Sequence, residues 1–180
     1  MDSFISLRRT AVALLLTLGL AAPAAPATAE ARQPAPQVWP TPQSMSAGSG
    51  RIPVPRRVVE VVGPHTDPSA RRVVKAALRA AGADRITTVG AGDRPPAAGL
   101  TVYLGGPGEN TATARTLKQL HAASPSGLAS GGYVLAAGRS HGRALLALSG
   151  ADPTGTFYAA QTLRQLLDGK RELPVVKIRD

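Results

Sequence analysis

Tyr133 to Ser149 reads YVLAAGRSHGRALLALS. Two short apolar runs, Tyr133 to Ala137 and Arg143 to Ser149, flank Gly138-Arg139-Ser140-His141-Gly142, the pattern of a β-hairpin with a five-residue loop. The two strands are expected to pair antiparallel. Directly after them, Asp152-Pro153 offers an N-cap and a proline in the first helical turn, and Ala159, Ala160, Leu163, Leu166 and Leu167 fall on one helical stripe ending near Gly169. Adjacent strands lying between helices rule out the strict alternation of a doubly wound sheet.

The flanking sequence extends this pattern in both directions. Arg57 to Val62 is rich in β-branched residues and is predicted to be a strand closed by Gly63-Pro64. Asp67 and Pro68 then repeat the cap-plus-proline start. Ala70, Val73, Val74, Ala77, Leu78 and Ala81 share a stripe, Arg71, Arg72, Lys75 and Arg79 face away, and Gly82 ends the helix. Arg85 to Val89 and Leu100 to Leu104 are predicted strands separated by the Gly/Pro-rich stretch from Gly90 to Gly99. A second helix is expected from Asn110 to His121 with Ala114, Leu117, Leu120 and His121 on a common face. Pro174 to Ile178 is the last predicted strand. The order β-α-β-β-α-β-β-α-β specifies an α+β fold: a mixed β-sheet with helices packed on one face.

The N-terminal region has a different composition. Arg8 and Arg9, the apolar Ala11 to Ala22 and the small-residue site Ala27-Thr28-Ala29 together read as a secretory signal peptide over residues 1–29. The apolar run is too short for a spanning helix, which needs about 20 residues. Secretion is therefore expected, by the general route or the twin-arginine one. Residues 30–50, with Pro34, Pro36, Pro40, Pro42 and a Ser/Gly run to Gly50, read as linker and lead-in segment, with Trp39 docked onto the domain. Residues 51–180 then form one domain of ordinary size.

The chain has no cysteine, so disulfides and thiolate metal sites are excluded. Aromatic residues make up 3% of it, so the core must be built from Val, Leu and Ala. The formal charge is +10, and loss of the leader, which takes two arginines and one aspartate, leaves +9. Such a balance attracts anionic partners, but the charges are spread along the sequence, and a solvated basic surface is the preferred interpretation.

No chemistry-bearing constellation stands out. Glu60, Glu109 and Glu172 lie on separate elements and are expected to be surface charges. His65, His121 and His141 lack metal-pair spacing. Gly105-Gly106-Pro107-Gly108 follows a strand and precedes a helix, as a phosphate cradle would, but has neither phosphate-loop pattern and reads as turn and cap. No serine sits in a nucleophile elbow. Phe157 and Tyr158 could stack on a sugar, and core packing is preferred for both. No catalytic, cofactor-binding or metal-ligating residue is assigned, and no cofactor is expected.

The C-terminal third carries a resemblance. Gly131-Gly132-Tyr133-Val134-Leu135, then the run from Asp152-Pro153-Thr154-Gly155-Thr156-Phe157-Tyr158 through Gln161-Thr162-Leu163-Arg164-Gln165-Leu166-Leu167, then Leu173 to Asp180, occur in that order. Together with Pro40-Thr41-Pro42-Gln43, they resemble the non-catalytic N-terminal domain of glycoside hydrolase family 84 β-N-acetylglucosaminidases and hyaluronidases, and that of the related family 20 β-hexosaminidases. The stretch from Tyr103 through Gly105-Gly106-Pro107 favours family 84. The likeness implies an α+β domain packed on a catalytic barrel, where the sugar's own acetamido group attacks with help from two neighbouring carboxylates. No two acidic residues are adjacent in this sequence, and no residue inherits those roles.

The expectation is thus an accessory domain of a secreted β-N-acetylglucosaminidase, inactive by itself and without its catalytic barrel, whose partner is the barrel that follows in relatives. The alternative is a free-standing secreted binding module for anionic glycan or cell-wall polymer. A nucleic-acid binder ranks last, and no membrane association is expected once the leader is cleaved. An apolar patch is expected near the third helix or last strand, where the barrel would meet the domain.

Overall fold

The computed structural model describes residues 36–180, so the expected leader over residues 1–29 and the first part of the linker lie outside the described residues. Ten elements follow in order: β1 (Ser44–Pro53), β2 (Arg57–Val62), α1 (Pro68–Ala80), β3 (Arg85–Gly90), β4 (Leu100–Leu104), α2 (Thr111–Gln119), β5 (Tyr133–Ser140), β6 (Arg143–Gly150), α3 (Pro153–Leu167) and β7 (Glu172–Arg179). The strands form one sheet in the order β1-β7-β5-β6-β4-β2-β3. β3, β2, β4 and β6 run parallel, while β5 is antiparallel to both β6 and β7, and β1 antiparallel to β7. The expected α+β class and mixed sheet are both present.

The caps read from sequence at Asp67 and Asp152 operate as hydrogen bonds, and Asn110, read only as the start of a helix, adds a third. Asp67 accepts from the Ala70 amide at 2.6 Å, Asn110 from Ala112 at 3.0 Å and Asp152 from Gly155 at 2.8 Å. The hairpin is tighter than expected: β5 and β6 run on to Ser140 and from Arg143, leaving His141 and Gly142 as a two-residue turn. Both have positive φ, 48° and 74°, as a twist-matched hairpin turn demands.

Three expectations are corrected. Ser44–Pro53, placed mostly in the linker by its Ser/Gly content, is an edge strand paired with β7, with an irregularity between Ala47 and Arg51. Pairing overrides intrinsic propensity here, and an edge strand that buries only Ile52 deeply tolerates small residues. The helices do not share one face. α1 and α3 pack together on the side of Val58, Leu100, Leu135, Leu146 and Ile178. On the other side α2 places Leu117 and Leu120 over Val134, Ala136, Leu145 and Ala147, with Ala112 against Val59 and Val61. β5 and β6 are apolar on both faces, so both faces must be covered. Finally, Ala114 and His121 of the predicted α2 stripe are exposed, while Ala112, Thr113 and Thr116 are buried.

Candidate functional site

The carboxyl ends of β2, β4 and β6 are laced together by buried polar side chains. Thr66 accepts from the Gly63 amide at 2.9 Å and donates to the Leu104 carbonyl at 3.2 Å. Asn110 donates its amide to the carbonyls of Val61 and Leu104, both at 3.0 Å. Glu109 joins two loops to the first turn of α3: one oxygen accepts from the Asp67 amide at 2.9 Å, the other from the Gly106 amide at 2.7 Å and from the Thr156 hydroxyl. A carboxylate of this chain thus fills the place that a phosphate would need at Gly105–Gly108, and the loop is a turn and cap, as expected. Gly105 itself has φ +122°, and a side chain there would crowd Asn110, Glu109 and Thr66.

Glu109 is therefore no surface charge, and neither is Glu60, which is fully buried on β2 beneath α1. One Glu60 oxygen accepts from Thr88 at 3.0 Å and lies 3.4 Å from the Arg71 guanidinium and 3.3 Å from the Lys75 ammonium. The other has no partner among the described residues. Arg71 and Lys75 thus turn in toward this carboxylate instead of facing away. Glu172 is exposed, as expected. His65, His121 and His141 are exposed on separate loops, and the described residues hold no cluster of three or more metal-ligating side chains.

Beside this lacework, at the end of the sheet where β5 begins and β7 ends, lies a groove of about 450 Å³. Its floor is the ladder between Tyr133 and Asp180, whose backbones exchange hydrogen bonds at 2.9 and 3.0 Å. One wall is α3, presenting Tyr158, Gln161, Thr162 and Gln165, and the other is the segment from Leu128 to Gly132. Trp39, Pro40 and Gln43 form the rim. Trp39 is held by its backbone: Gln165 accepts from its amide at 2.8 Å and donates to its carbonyl at 2.7 Å. Trp39 as a whole is 80% exposed, so the expected docking applies to its main-chain hydrogen bonds and to the neighbouring Val38, which is buried.

Tyr158 is 49% exposed, whereas Phe157 packs against the core, so core packing holds for Phe157 alone. The two exposed large hydrophobic side chains among the described residues, Trp39 and Tyr158, both border this groove.

Among the described residues the groove contains a single carboxylate, Asp180, which accepts from the Gln43 amide at 2.9 Å. Tyr133 donates to or accepts from Thr162 at 2.7 Å, and burial raises its phenol above 10.0. Asp152, close behind the Leu128–Gly132 wall, is held below the usual carboxylate range by the Gly155 amide first, then by the Ser130 hydroxyl and the Gly131 amide. Hydrolysis that depends on two cooperating carboxylates finds no pair here. Gln43, Gln165 and Asp180 as groove-builders escaped the sequence reading, although Gln43, Gln165 and Asp180 all lie within the segments that carry the resemblance.

The sequence matches the family model for glycosyl hydrolase family 20, domain 2, over residues 35–180. No curated protein matches it. Among solved structures, CpGH84B superposes with a TM-score of 0.61 at 23% identity, over 80% of this chain and 22% of that one. CpGH84D superposes with a TM-score of 0.65 at 15% identity, over 81% of this chain and 24% of that one. At such identities the likeness is one of fold, and this chain corresponds to less than a quarter of either structure's length. Both families named by the resemblance are thus represented, family 20 by the matched model and family 84 by the superposed structures.

Proposed function

This chain belongs to the family of glycosyl hydrolase family 20, domain 2, and we propose that it serves as the supporting domain of a secreted β-N-acetylglucosaminidase, its groove at α3 and Asp180 being the surface on which the catalytic barrel seats. The observation that carries this is the pairing of the two exposed rings, Trp39 and Tyr158, on one groove whose lining among the described residues holds a single carboxylate. Leaving a large ring in water forgoes about 2–3 kcal/mol of burial, which a rim covered by a partner recovers. The patch lies by the third helix and last strand, where the barrel was expected to meet the domain.

Secretion belongs to the same proposal and rests on Arg8, Arg9, the apolar Ala11 to Ala22 and Ala27-Thr28-Ala29; the mass of exported protein is expected to correspond to a chain beginning at Glu30. For the groove, Trp39 is the sole tryptophan of the chain, so its emission reports on that site alone. Titration with an isolated family 20 catalytic barrel is expected to shift the emission to the blue as the ring leaves water. A shift produced instead by N-acetylglucosamine or its short β-linked oligomers would overturn barrel docking in favour of a sugar subsite.

A further inference from the structure

The strand registers gather arginines that are scattered in sequence. Arg57 opens β2 and lies directly beside Arg85, which opens β3. Val58 lies beside Leu100, and Thr101 beside Leu145, so carrying the first register one step back and the second two steps back sets Gly99 between Arg57 and Arg143, the first residue of β6. Arg143, Arg57 and Arg85, with Gly99 just ahead of β4, thus line up at the starts of β6, β2 and β3. With strands about 4.8 Å apart, the arginine backbones are spaced at roughly 10 and 5 Å along that row.

Alternation places all three arginine side chains on one face. Val58, Ile86 and Ala144, the next residues, pack on the α1/α3 side, so Arg57, Arg85 and Arg143 project on the α2 side. All three are exposed, and the ring of Pro55 occupies the space over Gly99. None of the three forms an ion pair among the described residues; the nearby acid, Asp84, is engaged by Arg56. Elsewhere acids are consumed internally: Glu60 and Glu109 are buried, and Asp67 and Asp152 cap helices. Three unpaired guanidiniums in line favour an anion that spans them, and their planar forks match carboxylates and tetrahedral oxyanions such as phosphate.

From this we infer that the α2-side edge formed by Arg57, Arg85 and Arg143 binds an extended anionic polysaccharide. The row rises at the start of β6, and the Trp39/Tyr158 groove lies where β6 ends beside Tyr133, roughly 25 Å away by the length of an eight-residue strand. Among the described residues the edge carries no exposed aromatic ring on which bases could stack, and no exposed large hydrophobic residue to enter a lipid surface. A charged polymer lying across the strands fits what remains.

The test compares the parent chain with the triple variant Arg57→Gln/Arg85→Gln/Arg143→Gln and with an equal-charge control, Arg72→Gln/Arg79→Gln/Arg164→Gln. Binding is measured to heparin and to polygalacturonate, with duplex DNA and phosphatidylglycerol vesicles as further probes; the double variant Arg57→Gln/Arg143→Gln substitutes if the triple one fails to fold. The row variant is expected to bind both polysaccharides about tenfold more weakly, the sum of three modest exposed ion pairs, and the control within about twofold of the parent. Equal weakening in both variants, or none in the row variant, overturns the inference. So does binding of DNA or vesicles as tight as that of the polysaccharides. Trp39 emission stays outside this test, so failure here leaves the groove proposal standing, and the reverse.

Discussion

The Glu109 carboxylate accepts a hydrogen bond from the Thr156 hydroxyl across 47 positions of sequence, while also accepting from the amides of Asp67 and Gly106. One side chain thereby ties the β2–α1 and β4–α2 connections to the first turn of α3. Buried hydrogen bonds to a charged group contribute about 1.5–3 kcal/mol each before overlap. Glu109→Ala is expected to lower the unfolding free energy by about 3 kcal/mol in a urea titration, and Thr156→Val by about 1–2 kcal/mol. A loss under 0.5 kcal/mol for Glu109→Ala would show that the loops hold without it.

Glu60 gives an asymmetric expectation. Its carboxylate is fully buried, whereas Arg71 and Lys75 each keep about a third of their side chains in solvent, 32% and 29%. Removing the carboxylate frees two cations that can reach water, so Glu60→Gln is expected to cost at most about 1 kcal/mol. Removing both cations strands a buried charge, and Arg71→Met/Lys75→Met is expected to cost about 3 kcal/mol or more. Chemical denaturation of the two variants side by side checks the ordering, and the reverse order would contradict it.

Asp152 sets an acid-side dependence. The Gly155 amide, the Ser130 hydroxyl and the Gly131 amide stabilise its ionised form, so its folded pKa lies below the ordinary value of 3.8. The contribution is then complete above that value and is lost as pH falls through the folded pKa. A carboxyl carbon NMR titration is expected to place the Asp152 midpoint below 3.8. Asp152→Ala is expected to flatten the acid limb of a stability–pH curve, and an unchanged limb would contradict the assignment.

Much of this fold is legible in the residues. Asp67-Pro68 and Asp152-Pro153 announce α1 and α3 because a cap and a fixed φ act locally, and the apolar runs around His141-Gly142 announce the hairpin for the same reason. β1 is illegible because its strand character comes from β7, over a hundred positions away, and not from Ser, Ala and Gly. The two-sided helix arrangement was in fact written in the sequence: Val134, Ala136, Leu145 and Ala147 are as apolar as Leu135, Ala137, Leu146 and Leu148, and a strand apolar at successive positions needs cover on both faces. Glu60 and Glu109 were misplaced because carboxylates are surface residues unless amides and cations from distant loops converge on them. The groove was visible only as an expected patch, since Gln165 must meet Trp39 across 126 positions to build its rim.

Turnover of an aryl N-acetyl-β-D-glucosaminide by the purified chain is the direct check on the proposal that this domain supports chemistry performed elsewhere. No aryl alcohol release above buffer is expected at any pH at which the chain stays folded. Release that tracks the purified protein and disappears in Asp180→Asn, the groove's one carboxylate, would contradict it.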